Sequence, residues 1–159
     1  MRAFVEAAPG IGLRGFGRLL GATGPLDRFA TVSRLWAYLG MHVVDGAAPR
    51  RRRGKRANWS PQGRVVCHQI GVSILRVRRG RYRAAYDRKK AEYLARPRLG
   101  PSACPFGQTH TNRKGDAILC GLNHAHMAAM RFAVKVLLRD LWVAWRTVGR
   151  DAVPGQTAA

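Results

Sequence analysis

Residues 122–148, which read LNHAHMAAMRFAVKVLLRDLWVAWRTV, carry the longest regular apolar pattern in the sequence. Apolar side chains recur there every three or four residues and form one broad stripe: Ala125, Ala129, Phe132, Ala133, Val136, Leu137, Leu141, Ala144 and Trp145. A second stripe lies beside it: Met127, Met130, Val134, Leu138 and Trp142. The pattern predicts one long C-terminal helix, from about Leu122 to Val148, that is contacted on two sides.

The residues before this helix predict four shorter helices. The first begins after the turn at residues 9–12, and Thr31 can cap the second. Ser60 followed by Pro61 is typical of an N-cap and of the first position of the third helix. The fourth covers about residues 82–95. Together these segments predict a mainly α fold, a small helical domain with a basic loop before its third helix.

The chain length suits one ordinary domain, because 159 residues can bury a single core. We expect residues 1–150 to form this domain and residues 151–159 to be a disordered tail. Two segments inside it are expected to be irregular: a basic loop at 41–60 and residues 96–116, where three prolines exclude helix. A possible metal loop spans 104–126.

Charge predicts the class of partner. The chain has 29 Lys and Arg against 8 Asp and Glu, a formal charge of +21, and all but five of the cations are arginine. Arginine grips phosphate with a planar fork of donors, whereas lysine offers a point charge. A chain this basic repels itself unless an anionic partner neutralises it. The composition therefore predicts a nucleic-acid partner.

The basic loop carries the densest charge, with six cations in the seven residues 50–56. An aromatic residue that follows such a run, here Trp59, can stack on a base. A second basic run precedes the fourth helix. The candidate nucleic-acid-binding residues of the two runs are Arg50, Arg51, Arg52, Arg53, Lys55, Arg56, Trp59, Arg78 and Arg79. A solvated charge run with no ligand is the alternative reading of both.

The turn Pro9-Gly10-Ile11-Gly12 resembles the hairpin of a helix-hairpin-helix element. Gly10 and Gly12 would allow a phosphate to approach backbone N–H groups at the start of a helix. The alternative is a plain turn in which the glycines serve only the backbone.

Cysteines and histidines give one metal-like constellation: Cys104, His110, Cys120 and either His124 or His126. These are the ligand types that a structural zinc ion takes in a tetrahedron, although the spacing is not a standard one. Buried thiols and ordinary helix-start histidines are the alternative.

The acidic residues are scattered singly along the chain: Glu6, Asp27, Asp45, Asp87, Glu92, Asp116, Asp140 and Asp151. A two-metal nuclease needs several carboxylates that converge. The sequence shows no such cluster, no secretory signal and no apolar run of membrane-spanning length. We therefore expect a cytoplasmic, nucleoid-associated protein with no membrane partner.

Several segments resemble the C-terminal domain of insertion-sequence "one-ten" family transposases, which are grouped with the 116 and 902 elements. The most specific are Gly10-Ile11-Gly12, Leu19-Leu20-Gly21-Ala22-Thr23-Gly24, Asp27-Arg28-Phe29 and Leu35-Trp36-Ala37-Tyr38-Leu39-Gly40-Met41. Supporting ones are Ala48-Pro49-Arg50, Gly54-Lys55, Tyr82-Arg83, Tyr86-Asp87-Arg88-Lys89, His126-Met127-Ala128-Ala129-Met130-Arg131 and Leu138-Arg139-Asp140-Leu141-Trp142. The resemblance covers most of residues 8–146.

The resemblance implies a helical domain that binds element-end DNA and a structured guide RNA. It implies that magnesium-binding acids belong to a separate N-terminal resolvase-like domain, which this sequence does not show. The family's Ser-Gly, with its serine nucleophile, falls at Arg53-Gly54. Ser60 is then the remaining candidate nucleophile, although it is better explained as an N-cap.

These observations predict a DNA-binding and guide-RNA-binding C-terminal part of a transposase, which acts in DNA transposition and recombination and is inactive alone. A second copy of the chain or a separate resolvase-like half would be its protein partner. The alternative is a small RNA-binding structural protein, such as a ribosome-associated one, that uses the same arginines.

Overall fold

The computed structural model describes residues 1–44, 48–51, 53–96, 114–116 and 122–151. Its helices are α1 (Arg2–Ala7), α2 (Gly12–Thr23), α3 (Val32–Tyr38), α4 (Pro61–Val77), α5 (Arg81–Leu94) and α6 (Leu122–Asp151), with a 3-10 turn at Leu26–Arg28. No β-sheet occurs in the described ranges. The prediction of a mainly α fold is confirmed. None of the helices in these ranges has the length and apolar character needed to cross a membrane.

Helix α6 organises the packing. It has 30 residues, and its buried side chains come from both predicted stripes: Ala125, Ala129, Met130, Ala133, Val134, Leu137, Leu138 and Leu141. The helix packs against α5, α4, α3 and the 3-10 turn. The Trp142 indole N–H also donates to the Phe29 carbonyl at 3.0 Å. The prediction that this helix is contacted on two sides is therefore confirmed.

Helix α4 begins as the sequence predicts. The Ser60 hydroxyl oxygen accepts from the Gly63 N–H at 3.0 Å, and Pro61 occupies the first turn, where it removes no helical hydrogen bond. Gly71 faces α6 so closely that a Cβ there would lie 2.7 Å from Met130 Cγ. The absence of a side chain at Gly71 sets the distance between α4 and α6.

The other helix ends also agree with the sequence. The Thr31 side chain accepts from the Arg34 N–H at 3.3 Å and caps α3, and α5 begins and ends one residue earlier than predicted.

One hydrophobic cluster takes buried side chains from all six helices. The predicted disordered tail lies outside the described residues, except that Asp151 ends α6. The single-domain boundaries stay a prediction.

Candidate nucleic-acid interface

The two ends of the basic loop, residues 41–60, are fixed on helix α3. At the first end, the Met41 N–H donates to the Trp36 carbonyl at 2.8 Å, and the Met41 side chain is buried. At the other end, the Ser60 N–H donates to the Tyr38 carbonyl at 2.7 Å. The Arg64 guanidinium of α4 also donates to the Pro49 carbonyl inside the loop. The loop therefore has a fixed base.

Trp59 belongs to that base. Its side chain is 8% exposed, and the Arg64 guanidinium carbon lies 4.9 Å from its ring centroid. Gly40, with φ +65°, packs so tightly on the indole that a Cβ would lie 2.9 Å from Trp59 Cε3. The sequence suggested an aromatic ring offered to a base, but burying its large apolar area in the core is the more stable arrangement. Trp59 also lines the two openings beside the loop cations, and its contact with nucleic acid stays a prediction.

The cations of the loop point outward instead. Arg50, Arg51, Arg53, Lys55 and Arg56 are all exposed. Four of them, without Arg53, line an open basin of about 760 Å³. Within the part of the chain that the structure describes, no carboxylate forms an ion pair with any of the five. Arg52 lies outside the described residues. The loop thus presents a concentrated positive surface on a fixed base.

The two serine-related positions lie in this loop. The Ser60 side chain serves as the N-cap of α4, as the sequence predicted, and it also lines an opening next to Arg51 and Arg56. Arg53 and Gly54, where the resemblance places the family's Ser-Gly, form a turn with φ +72° at Gly54. The hypothesis that Ser60 is a nucleophile stays untested by this geometry.

The glycine turn meets the second basic run in space. Gly10, with φ +107°, packs on α4 so closely that a Cβ would lie 2.7 Å from Ile74 Cγ1. Pro9 lies against Gly80 in the same way, with 3.1 Å between Pro9 Cγ and a Cβ built there. Beside them lie the exposed residues Gly12, Arg78 and Arg79, the last two in the corner between α4 and α5. The predicted sites therefore fall into two groups, the loop and this corner.

Two further arginines lie along a groove that leads from the glycine turn toward the middle of α4. Arg14 and Arg18 of α2 line a groove of about 230 Å³ between α2 and α4, together with Gly10, Gln69 and Ser73. The Arg18 guanidinium donates to Gln69 Oε1 at 3.3 Å across this groove. Sequence reasoning missed both arginines, although their i, i+4 spacing on the polar face of α2 was a visible signal.

Helix α4 separates the two groups. Its 17 residues, at about 1.5 Å each, place the loop and the corner about 25 Å apart. Between them an exposed stripe of one helical face carries Gln62, Val65, Gln69 and Arg76. The loop and the corner therefore form the two ends of one elongated surface.

The structure describes only part of the predicted zinc site. Cys104, His110 and Cys120 lie outside the described residues, whereas His124 lies in the first turns of α6. His126 is engaged elsewhere, because its Nδ1 lies 2.6 Å from the Tyr86 hydroxyl. Across the described ranges, no three His, Cys, Asp or Glu side chains come together. The zinc site stays a prediction.

The remaining cysteine is a core residue. Cys67 is 1% exposed on the inner face of α4. Burial raises the pKa of its thiol to about 12, because a thiolate would lose its hydration there. The thiol is therefore neutral near pH 7 and is neither a nucleophile nor a ready metal ligand.

Comparison with known families identifies the chain. A family model described as the transposase IS116/IS110/IS902 family matches residues 2–87, more than half of the sequence. The chain therefore belongs to this transposase family. The matched part contains the glycine turn, the basic loop and the arginine corner, whereas the resembling segments of α6 lie beyond it. No curated protein and no solved structure matches the chain.

Proposed function

We propose that the chain is the nucleic-acid-binding C-terminal part of a transposase, which holds element-end DNA during transposition and does not cut DNA by itself. The observation that carries the proposal is the fixed loop whose exposed cations have no carboxylate partner among the described residues. Family membership supports the transposase role over that of an RNA-binding structural protein.

The loop geometry suits phosphate binding. Because Trp59, Ser60 and Pro49 hold its base, less conformational entropy is lost when the arginines engage a ligand. Each guanidinium can form two parallel hydrogen bonds to one phosphate. Contacts of this kind release counter-ions from the nucleic acid, so binding should be strong and salt-dependent.

The corner supplies a second contact in this proposal. Its distance of about 25 Å from the loop corresponds to about seven base pairs, at about 3.4 Å per base pair. Gly12, the first residue of α2, has no atom within 4 Å of a Cβ built on it, so a phosphate can approach the backbone there. One duplex of about ten base pairs can therefore reach both ends of the surface.

A structured guide RNA is the second proposed ligand. The same arginines can bind RNA phosphates, because a guanidinium recognises the phosphate and not the sugar. Duplex DNA and a hairpin RNA of equal length are therefore compared in the same assay. A guide-RNA role requires the hairpin to bind at least as tightly as the duplex.

We also propose that the chain does not cut DNA by itself, because its acids are scattered singly. Glu6, Asp87 and Glu92 each form an exposed ion pair with a neighbouring cation, and the partly buried Asp140 pairs with Arg139. We expect the purified chain to neither cleave nor join DNA in Mg²⁺. Strand transfer that disappears in Ser60→Ala would instead establish Ser60 as a nucleophile.

Fluorescence anisotropy over a series of salt concentrations tests the binding proposal. Four to six phosphate contacts at the loop would give log K against log[salt] a slope of about −4 to −5. Replacing Arg50, Arg51 and Arg53 by Gln removes about three contacts. The slope should flatten by about 2.7, and affinity near 0.1 M salt should fall on the order of 10²- to 10³-fold.

The matched control replaces Arg88, Lys89 and Lys90 of α5 by Gln, which removes the same charge from another face. Its slope should change by less than about one unit, because few contacts are lost. Equal losses in the two triple variants would mean that net charge alone, and not the loop, governs binding.

A further inference from the structure

Three cations that are not among the exposed loop and corner arginines lie near one another on α4 and α6. Arg64 of α4 and Arg131 of α6 line one cavity of about 70 Å³. The rest of its wall is His68 and five apolar residues: Met41, Cys67, Met127, Met130 and Val134. Lys135 follows Arg131 by one helical turn. All three side chains are partly buried, in contrast to the exposed arginines of the loop.

Aromatic rings and one carbonyl hold two of these cations. The Lys135 ammonium lies 4.1 Å from the centroid of the Trp36 ring, and the Arg64 guanidinium lies 4.9 Å from that of Trp59. The indole N–H of Trp36 is buried and has no hydrogen-bond partner within the described ranges. In those ranges, none of the three cations forms an ion pair with a carboxylate.

The cluster carries an electrostatic cost. Burial lowers the pKa of the Arg131 guanidinium, and the neighbouring charge of Arg64 lowers it further. Burial lowers the pKa of Lys135 in the same way, followed by the charge of Arg131, and burial alone lowers the pKa of Arg64. Like charges withdrawn from water are unfavourable unless an anion compensates them.

Simple packing explains the arrangement less well. Long cationic side chains commonly bury their stems and extend their charged ends into water. Here Arg64 and Arg131 line the same cavity, although repulsion favours separating them. Arg64 also reaches the basic loop through its hydrogen bond to the Pro49 carbonyl. The cluster therefore continues the loop surface toward α6.

We propose that Arg64, Arg131 and Lys135 form a pre-organised site for one phosphate group of the nucleic-acid backbone. The proposal rests on the proposed function for its ligand but uses none of the loop cations. A phosphate there would neutralise the cluster and would bind more strongly than at an exposed arginine, because partial burial weakens screening by water.

The first test measures stability in phosphate-free buffer of low salt and then with inorganic phosphate added. Arg131→Gln removes the repulsion and should melt at the same or a higher temperature than the wild type. Phosphate should raise the melting temperature of the wild type more than that of Arg131→Gln. The control is Arg88→Gln, which removes the same charge from an exposed position of α5; Arg139 is kept for the binding test, because it forms an ion pair with Asp140.

The second test measures affinity for duplex DNA. Arg131→Gln should weaken binding about tenfold near 0.1 M salt and flatten the salt slope by about one unit, whereas Arg139→Gln should do neither. Lys135→Gln should act in the same direction, and Arg131→Lys should restore part of the affinity. Gaining stability while losing affinity is a result that a purely structural arginine would not give.

The outcomes separate the two proposals. If the wild type binds DNA and the loop variant is weakened while Arg131→Gln and Lys135→Gln bind normally, the phosphate site is refuted and the proposed function stands. Loss of stability in Arg131→Gln with unchanged affinity also refutes the site and leaves a packing role. If the wild type binds neither DNA nor RNA, both proposals fail.

Discussion

Two faces of this molecule use the same kinds of cation differently. On the α5–α6 face, Arg83 lies 2.8 Å from Asp87, Lys89 lies 2.7 Å from Glu92, and Arg81 lies 3.3 Å from Asp140. On the loop face, the exposed arginines of residues 50–56 that the structure describes have no such neighbour. Several cations are thus paired within the chain on one face, whereas the described cations of the loop are left unpaired on the other.

This difference indicates which face of the molecule needs an external anion. A surface ion pair contributes only about 0–1 kcal/mol to folding, so the α5–α6 pairs add little stability. They do, however, reduce the local positive potential of that face. Three of the eight acids of the chain form these pairs, Asp87, Glu92 and Asp140, whereas the described cations of the loop have no ion-pair partner among the described residues. Counting cations in the sequence cannot reveal this division.

The largest expected effect concerns Trp59, which holds the base of the loop and carries none of its charge. Trp59→Ala should lower the free energy of unfolding by about 3–5 kcal/mol, because the buried indole leaves a cavity. Urea unfolding in high salt, where charge effects are screened, measures this loss. Trp59→Phe is the matched control and should lose clearly less. A loss below about 1 kcal/mol for Trp59→Ala would place the indole outside the core.

A smaller effect is expected at the helix start that follows the loop. Ser60→Ala should lower the free energy of unfolding by about 1 kcal/mol, since it removes the hydrogen bond to the Gly63 N–H. Ser60→Asn should be nearly neutral, because asparagine caps a helix about as well. Thermal or urea unfolding distinguishes the two variants. Equal stability of Ser60→Ala and wild type would show that the cap contributes nothing.

The smallest effect tests the paired face directly. Asp87→Asn breaks the ion pair with Arg83 and should lower the free energy of unfolding by about 0.5 kcal/mol or less. Its affinity for DNA, measured by anisotropy at 0.1 M salt, should stay within about twofold of the wild type. A large gain in affinity would show that Asp87 masks a binding surface and that the two faces are not distinct.

The sequence predicted the structural features that depend on local patterns, such as helix caps and apolar periodicity. The Ser60-Pro61 start of α4, the Thr31 cap and the two-sided α6 all follow from periodicity and capping within one segment. The family was also visible in short sequence segments, and the family model confirms it. These features depend on residues that are near one another in the chain.

What the sequence could not predict depends on packing between distant segments. Trp59 was expected at the surface beside its cations, but Gly40 and Arg64 enclose it. The meeting of the glycine turn with the Arg78 corner depends on contacts between α1–α2 and the end of α4. The cluster around Arg131 likewise exists only once α4 and α6 are packed. Composition gives the charge, and the fold decides where it is left unpaired.

The most direct test of this division is arginine footprinting with a dicarbonyl reagent, read by mass spectrometry with and without duplex DNA at about 0.1 M salt. DNA should protect Arg50, Arg51 and Arg53 of the loop and the exposed pair Arg78 and Arg79. Two exposed arginines of the α5–α6 face, Arg88 and Arg139, should react at the same rate with and without DNA. Equal protection of both faces, or a loop that stays fully reactive in the complex, would contradict the central claim that the unpaired face is the binding face.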